Sequence, residues 1–343
     1  MDKSGAGAYI FAKACGSLGK SFTGNRSHLL FEQKSLADIW TLLFNTPAPL
    51  VPEVVLAEKI ETQAFNQFFK EYIDFVKQYD NPDPVLINQL CTYEAENLKL
   101  IASALCSNKH KMPALTDLGT FAECKYSAWP NLAEITQGTR YSWLKQVPQV
   151  NELKKISFKL DIQIVHHLWN SLNRQTGEQY EVMEKLFKTE YSLKNIVWAL
   201  RLRIYYKMSR SDIINRLIYV TDHPGLSDPV ASPAIKVLDM PLDDYELWEK
   251  WKYHDCINPP VEGKLWQIDP VWIEKKAKVK LNKMALNIFH GQAMTEASLL
   301  GWYKIKEYEL ICIRTAVESI RLNINPNEAQ SAVGIQFEGG LNG

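Results

Sequence analysis

Few stretches of this 343-residue sequence carry reactive side chains at spacings that chemistry uses. The first is Gly16-Ser-Leu-Gly19-Lys20-Ser21, which has the ending of a phosphate loop, where backbone amides and a lysine would cradle a nucleotide phosphate. The full pattern needs a glycine five residues before Gly19, and Ala14 stands there. No buried strand precedes it, so the segment is expected to be a helix running into a loop. Gly5-x-Gly7 opens a dinucleotide fingerprint, but Ile10 occupies the third glycine position. His166 and His167 are adjacent, which on a helix turns them about 100° apart, so they cannot clasp one metal ion as an i, i+4 pair could. His254-Asp255-Cys256 is half of a possible metal set with no second pair nearby. His290 falls at the end of an expected helix, where a cation suits the negative end of the dipole. The carboxylates Glu53, Glu58, Glu61, Glu71, Glu94 and Glu96 lie mostly on helix faces away from the aromatics and read as a solvated surface. No Ser/His/Asp or Cys/His set stands out. The residues therefore nominate no catalytic, cofactor-binding or metal-binding site, and they leave any partner interface without named members.

Composition narrows the classes further. Lys+Arg and Asp+Glu are both 39, so the formal net charge is zero. That excludes the basic excess a nucleic-acid binder uses to displace counterions, and broad adhesion to anionic lipid. A hydrophobic fraction of 46% excludes a disordered chain. The six cysteines, Cys15, Cys91, Cys106, Cys124, Cys256 and Cys312, form no CxxC and read as reduced thiols rather than a disulfide frame. The apolar stretch near the N-terminus is interrupted at Lys13, short for a cleaved signal, and no run approaches the ~20 apolar residues of a membrane span.

The elements that would position any site are helical nearly throughout. Ser35-Leu-Ala-Asp38 is a capping box followed by Leu36, Ile39, Trp40, Leu43 and Phe44 on one face. Residues 53–79 hold a three-four spacing through Ile60, Ala64, Phe65, Phe68, Phe69, Tyr72, Ile73 and Val76. Asn81-Pro-Asp-Pro84 stops that helix and starts another, and the two are expected to form an antiparallel hairpin. Residues 107–141, with Pro113, Gly119, Pro130 and Gly138, read as loop-rich. Helices are expected over 150–173, 189–207, 244–253, 270–290 and 295–323, with further starts at Ser209-Arg-Ser-Asp212 and Asn325-Pro326-x-Glu328. The segment 221–241, with Pro224, Gly225, Pro229, Pro233 and Pro241, reads as the clearest linker. The basic run Arg201, Arg203, Lys207, Arg210 and Arg216 is either a solvated helix face or a surface for an acidic partner.

A weak internal repeat runs through the chain. Tyr93-Glu-Ala-Glu-Asn97, Tyr191-Ser-Leu-Lys-Asn195 and Tyr308-Glu-Leu-Ile-Cys312 are expected to open long helices at comparable points, and Glu190 and Glu307 precede the second and third tyrosines. Three helical units of about 110 residues fit the length. The expected fold is all-α, with units over 1–110, 111–225 and 226–343.

Several of these stretches resemble one family. Tyr9-Ile-Phe-Ala12-Lys13, Gly16…Gly19-Lys20-Ser21, Ser35-Leu-Ala-Asp38-Ile-Trp40-Thr-Leu-Leu-Phe44, Tyr93-Glu94-x-x-Asn97-Leu98 and Glu307-Tyr308-Glu309-Leu-Ile-Cys-Ile-Arg314 resemble the C-type subunit of bacterial and archaeal V/A-type ATPases, whose eukaryotic counterpart is the d-type subunit. The resemblance implies a funnel of three pseudo-threefold-related helical units. It implies a non-catalytic adaptor of the central rotor, joining the D and F proteins of the central shaft to the membrane proteolipid ring. Such an adaptor transmits torque for proton or sodium transport coupled to ATP hydrolysis or synthesis. It binds no cofactor and is peripheral to the membrane, on the cytoplasmic face. Cys15, and a segment 221–268 rich in Pro and Trp, depart from the family's pattern and bear on which branch the chain belongs to. The alternatives are a helical scaffold for a different partner, or an enzyme with an unrecognised site between units.

Overall fold

The computed structural model describes residues 1–335. In chain order the α-helices are α1 (Lys3–Lys20), α2 (Leu36–Phe44), α3 (Glu53–Val76), α4 (Pro84–Cys106), α5 (Leu132–Thr136), α6 (Leu153–Asn173), α7 (Glu178–Ile204), α8 (Arg210–Ile214), α9 (Ser232–Val237), α10 (Tyr245–Glu249), α11 (Pro270–Gly291), α12 (Glu296–Arg321) and α13 (Pro326–Val333). Among the described residues there is no strand. The all-α expectation holds.

The helix starts are where capping chemistry puts them. Ser35 Oγ accepts the Asp38 N–H at 3.2 Å and donates to the Asp38 carboxylate at 2.7 Å. Asp83 and Asp269 cap α4 and α11, each ahead of a proline at the first helical position. Ser209 accepts from Asp212 N–H, and Asn325 from Asn327 N–H. One start differs from the sequence reading. Helix α7 begins at Glu178 rather than near 189, because Tyr180, Met183, Leu186 and Phe187 are buried and extend its apolar stripe toward the N-terminus.

The chain divides into two compact units, one of residues 1–80, 178–217 and 225–343, the other of 81–177 and 218–224. In the larger unit α12 is the central element and packs on α11, α3, α1, α7 and α13. Its junction with α3 is an aromatic stack: Phe68 lies 5.9 Å from Trp302 and 5.2 Å from Tyr303, and Tyr72 lies 4.7 Å from Tyr303. Buried aromatic pairs of this kind add to area burial and resist sliding. A second cluster, with Ile39, Trp40, Ile60, Cys312 and Val317, fills the space between α2, α3 and α12. In the smaller unit α4 packs on α6, and Leu98, Ile101, Ile135, Tyr141 and Leu160 form the core.

Two expectations about connections are corrected. Helices α3 and α4 do not form a hairpin: the Asn81-Pro-Asp-Pro84 breaker is the border of the two units, α3 packing on α2 and α12 while α4 packs on α6. The segment 221–241 is only partly a linker. The chain passes between units at 224–225, but Val230, Ala231, Ala234, Ile235 and Val237 are buried and carry α9 against α7. The Asp228 carboxylate accepts the N–H groups of Val230 and Ala231 at 3.0 and 2.9 Å, which lets a proline-rich segment enter the core with its amides satisfied. Limited proteolysis of the native chain should therefore cut first at the exposed residues Asp222–Pro224, while 229–238 resists as the long helices do. First cleavage inside 229–238 would contradict this packing.

Candidate functional site

The reactive residues named from sequence are dispersed. Gly16 to Lys20 form the last turn of α1, not a loop ahead of a helix. That end presents carbonyls and the negative end of the dipole, the opposite of a phosphate cradle. Lys20 is exposed, and the Ser21 hydroxyl accepts from Lys306 Nζ at 2.9 Å. His166 and His167 lie on α6, and burial lowers the His167 pKa, with nearby Arg140 lowering it further. His166 Nε2 is buried with no hydrogen-bond partner among the described residues. His254 and Cys256 sit in a 3-10 turn (His254–Cys256), where the Cys256 thiol is pushed up to about 12 by burial and by Asp255. Asp255 is committed to an ion pair with Lys280. His290 is in the last turn of α11, as its helix-end role requires, against the Phe289 ring.

One cluster is not legible from spacing. Cys91 and Glu94 on α4 meet Glu123 of the following loop, with their ligand atoms within 4.8 Å of one another. Glu94 is fully buried, and one carboxylate oxygen accepts the N–H groups of Glu123 and Cys124, both at 2.8 Å. One turn on, Asn97 clamps Thr116 by two bonds of 2.8 Å, donating to its carbonyl and accepting its N–H. Burial raises the Glu94 carboxyl, against the lowering effect of the Cys124 and Glu123 N–H groups, and pushes the Cys91 thiol up to about 12. Arg140 ion-pairs with Glu123 and donates to the Asn88 side chain at 2.8 Å, which balances the Glu123 charge beside the cluster. The arrangement is a latch that fixes the loop 116–124 onto α4.

The same device recurs at the other two tyrosine motifs. Asn195 of α7 donates to the Val230 carbonyl at 3.3 Å and holds the segment leading into α9. Glu309 of α12 accepts the Phe22 N–H at 2.5 Å, and Tyr308 donates to the Val333 carbonyl at 2.6 Å. The residue after each tyrosine (Glu94, Ser192, Glu309) and the residue four after it (Asn97, Asn195, Cys312) are all buried. The repeat seen in the sequence is thus a repeat of buried positions, of which Glu94, Asn97, Asn195 and Glu309 pin neighbouring segments, while Cys312 packs in the apolar core. Glu190 and Glu307 share another role: both pair with Lys304, at 3.0 and 2.9 Å.

On the surface, the basic run 201–216 is largely used within the molecule. Arg201 pairs with Glu274 at 2.5 Å, Arg203 donates to the Val237 and Met240 carbonyls, and Arg210 makes a two-point contact with Asp239. A different basic feature is open. Helices α7 and α11 run antiparallel, since Glu178 meets Gln292 at one end and Arg201 meets Glu274 at the other. Between them lies a groove of about 960 Å³. Lys185, Lys188, Lys252, Lys276, Lys280 and Lys283 line it, against only Glu181, Glu184 and Asp255. Its floor includes Val182, Val279, Met284 and Ile288. These lysines are scattered over three segments of sequence, so no single run announces them.

Comparison with known proteins agrees with the motif resemblance. The family model for the ATP synthase (C/AC39) subunit matches residues 19–332. A protein of Treponema pallidum (strain Nichols), named only as an uncharacterized protein, is 24% identical over 323 residues, spanning 93% of this chain and 94% of its own length. With nearly the whole length matched, and an all-helical fold whose tyrosine-motif latches centre on helices inside the matched range, the chain belongs to the ATP synthase (C/AC39) subunit family.

Proposed function

We propose that the protein is a non-catalytic adaptor in the central rotor of a V/A-type ATPase. It joins the D and F proteins of the central shaft to the proteolipid ring and carries torque between ATP hydrolysis or synthesis and proton or sodium transport. The observation that carries this reading is the family match over residues 19–332. Three features support it. No helix among the described residues is long and apolar enough to cross a membrane, as suits a part held to the membrane through other proteins of the complex. The reactive residues are scattered or locked into latches rather than gathered into a reaction centre. The long helices α3, α7 and α12 are cross-braced by aromatic stacks and buried ion pairs, which suits an element that must not yield under load. The recurrence of the tyrosine motif supports a body of three pseudo-threefold-related units over 1–110, 111–225 and 226–343, and the rotor reading puts it at the cytoplasmic face of the membrane.

The test is deletion of the protein from the assembled complex. ATP hydrolysis by the catalytic head should persist, while ATP-driven ion transport in sealed vesicles should stop. The head should also wash off the membrane more readily. Coupled transport that survives deletion would sink the rotor reading and favour a helical scaffold for another partner.

A further inference from the structure

The geometry points to the groove between α7 and α11 as the docking site for an acidic amphipathic helix of a partner protein. The inference goes beyond the rotor reading and stands on the groove's chemistry alone. Lys185 and Lys188 are three residues apart on α7, and Lys276, Lys280 and Lys283 follow a four-three spacing on α11. Each helix thus presents its lysines as a rail along one face. The α11 rail extends over about two turns, roughly 10 Å. Between the rails the floor is apolar, with Val279, Met284 and Ile288.

Three of the five rail lysines are not spent on the protein itself. Lys280 pairs with Asp255, and Lys276 lies over the Trp272 ring at 5.5 Å. Lys185, Lys188 and Lys283 have no ion pair among the described residues. Six lysines against three carboxylates leave the groove net positive, and the repulsion among its ammonium groups costs stability that an acidic occupant would recover. An apolar floor flanked by two cationic edges fits a helix with one apolar stripe and carboxylates on both sides of it. A single anionic headgroup would leave the floor uncovered. A second copy of this chain, with zero net charge, offers no excess of acid.

The probe is a fluorescein-labelled synthetic helix about 18 residues long, or five turns, with leucine on one stripe and glutamate flanking it. Its partner peptide carries glutamine in place of every glutamate. Fluorescence anisotropy with the full chain should show the glutamate peptide binding at least about tenfold more tightly, with the advantage shrinking as salt is raised from about 0.05 M to about 0.5 M. The triple variant Lys185→Glu/Lys188→Glu/Lys283→Glu should weaken it about thirtyfold or more. The control Lys34→Glu/Lys109→Glu/Lys145→Glu, at positions outside the groove with the same change in net charge, should bind like the wild type. Equal binding of both peptides, or wild-type binding by the first triple variant while its melting curve is unchanged, would overturn the proposal. Loss in that variant of vesicle binding (phosphatidylserine in phosphatidylcholine), with no peptide binding by the wild type, would overturn it in favour of a lipid surface. Loss of self-association by sedimentation, again without peptide binding, would overturn it in favour of a second copy.

Discussion

Gly301→Ala should destabilise the full chain by about 2–3 kcal/mol, and Gly301→Val by more. The sign is the informative part. Glycine inside a helix is worse than alanine by about 1 kcal/mol, so the same change at an open helical site should stabilise. Gly301 lies in α12 where it crosses α11. A β-carbon there would stand 2.8 Å from the Ala285 carbonyl oxygen and 2.8 Å from the Phe289 backbone nitrogen. Those atoms belong to a regular helix and cannot swing aside as a side-chain tip can. Relief requires α11 to move off α12, and that loosens the most extensive helix pair in the larger unit. Trp302 and Tyr303, the next two residues, anchor the aromatic stack with α3, so displacement would spread there too. Gly16 in α1 is the control: nothing lies within 4 Å of its β-carbon position, and Gly16→Ala should stabilise by up to about 1 kcal/mol. Equilibrium urea unfolding of both variants checks the pair. If Gly301→Ala stabilised the chain as Gly16→Ala does, the close α11–α12 contact would be wrong.

Gly301 also shows where the sequence stops being legible. Its place in a helix follows from periodicity, but its role depends on which helix comes to lie beside it, and that is not a local property. The same division runs through the molecule. Capped helices such as α2, α4, α11 and α13 are readable because Ser35, Asp83, Asp269 and Asn325 act on amides two or three residues away. The hairpin expected of α3 and α4 fails because a breaker between two helices says that the chain turns, not what each helix then packs against. The linker expected over 221–241 fails in part because prolines show in a sequence, whereas the burial of Asp228, which satisfies the amides of Val230 and Ala231, does not. The basic run 201–216 stays ambiguous in sequence because its partners, Glu274 and Asp239, stand far along the chain. Within the candidate site, the tyrosine motifs are legible as a repeat, whereas the Cys91–Glu94–Glu123 cluster and the lysine groove exist only once distant segments are brought together.

Glu190→Leu should cost about 2–3 kcal/mol near neutral pH, and the cost should fade in acid. Glu190 of α7 is buried and sits between Lys194, at 2.7 Å, and Lys304 of α12, at 3.0 Å. Burial alone would raise its pKa; the two ammonium groups outweigh that and hold it below the ordinary carboxylate value of 4.5. Lys304 responds in the opposite direction: burial would lower it, and Glu190 and Glu307 together raise it. Removing Glu190 leaves Lys304, 14% exposed, with the partly solvated Glu307 as its remaining counter-charge, while the half-exposed Lys194 turns to water. For that reason the cost falls below the ~3–5 kcal/mol of a buried pair broken outright. A carboxyl with a depressed folded pKa contributes stability that is fully present above its unfolded value and is lost as pH falls through the folded one. Wild-type and Glu190→Leu unfolding curves should therefore differ most above about pH 5, narrow below it, and converge only as pH falls to about 2. The double variant Glu190→Leu/Lys304→Met removes both charges and fills their space with apolar atoms. It should recover most of the loss, to within about 1 kcal/mol of the wild type, because a buried ion pair gains little over a packed apolar pair. A Glu190→Leu deficit that stays constant across that pH range, or a double variant no more stable than the single, would show that Glu190 acts by packing rather than as the charge joining α7 to α12.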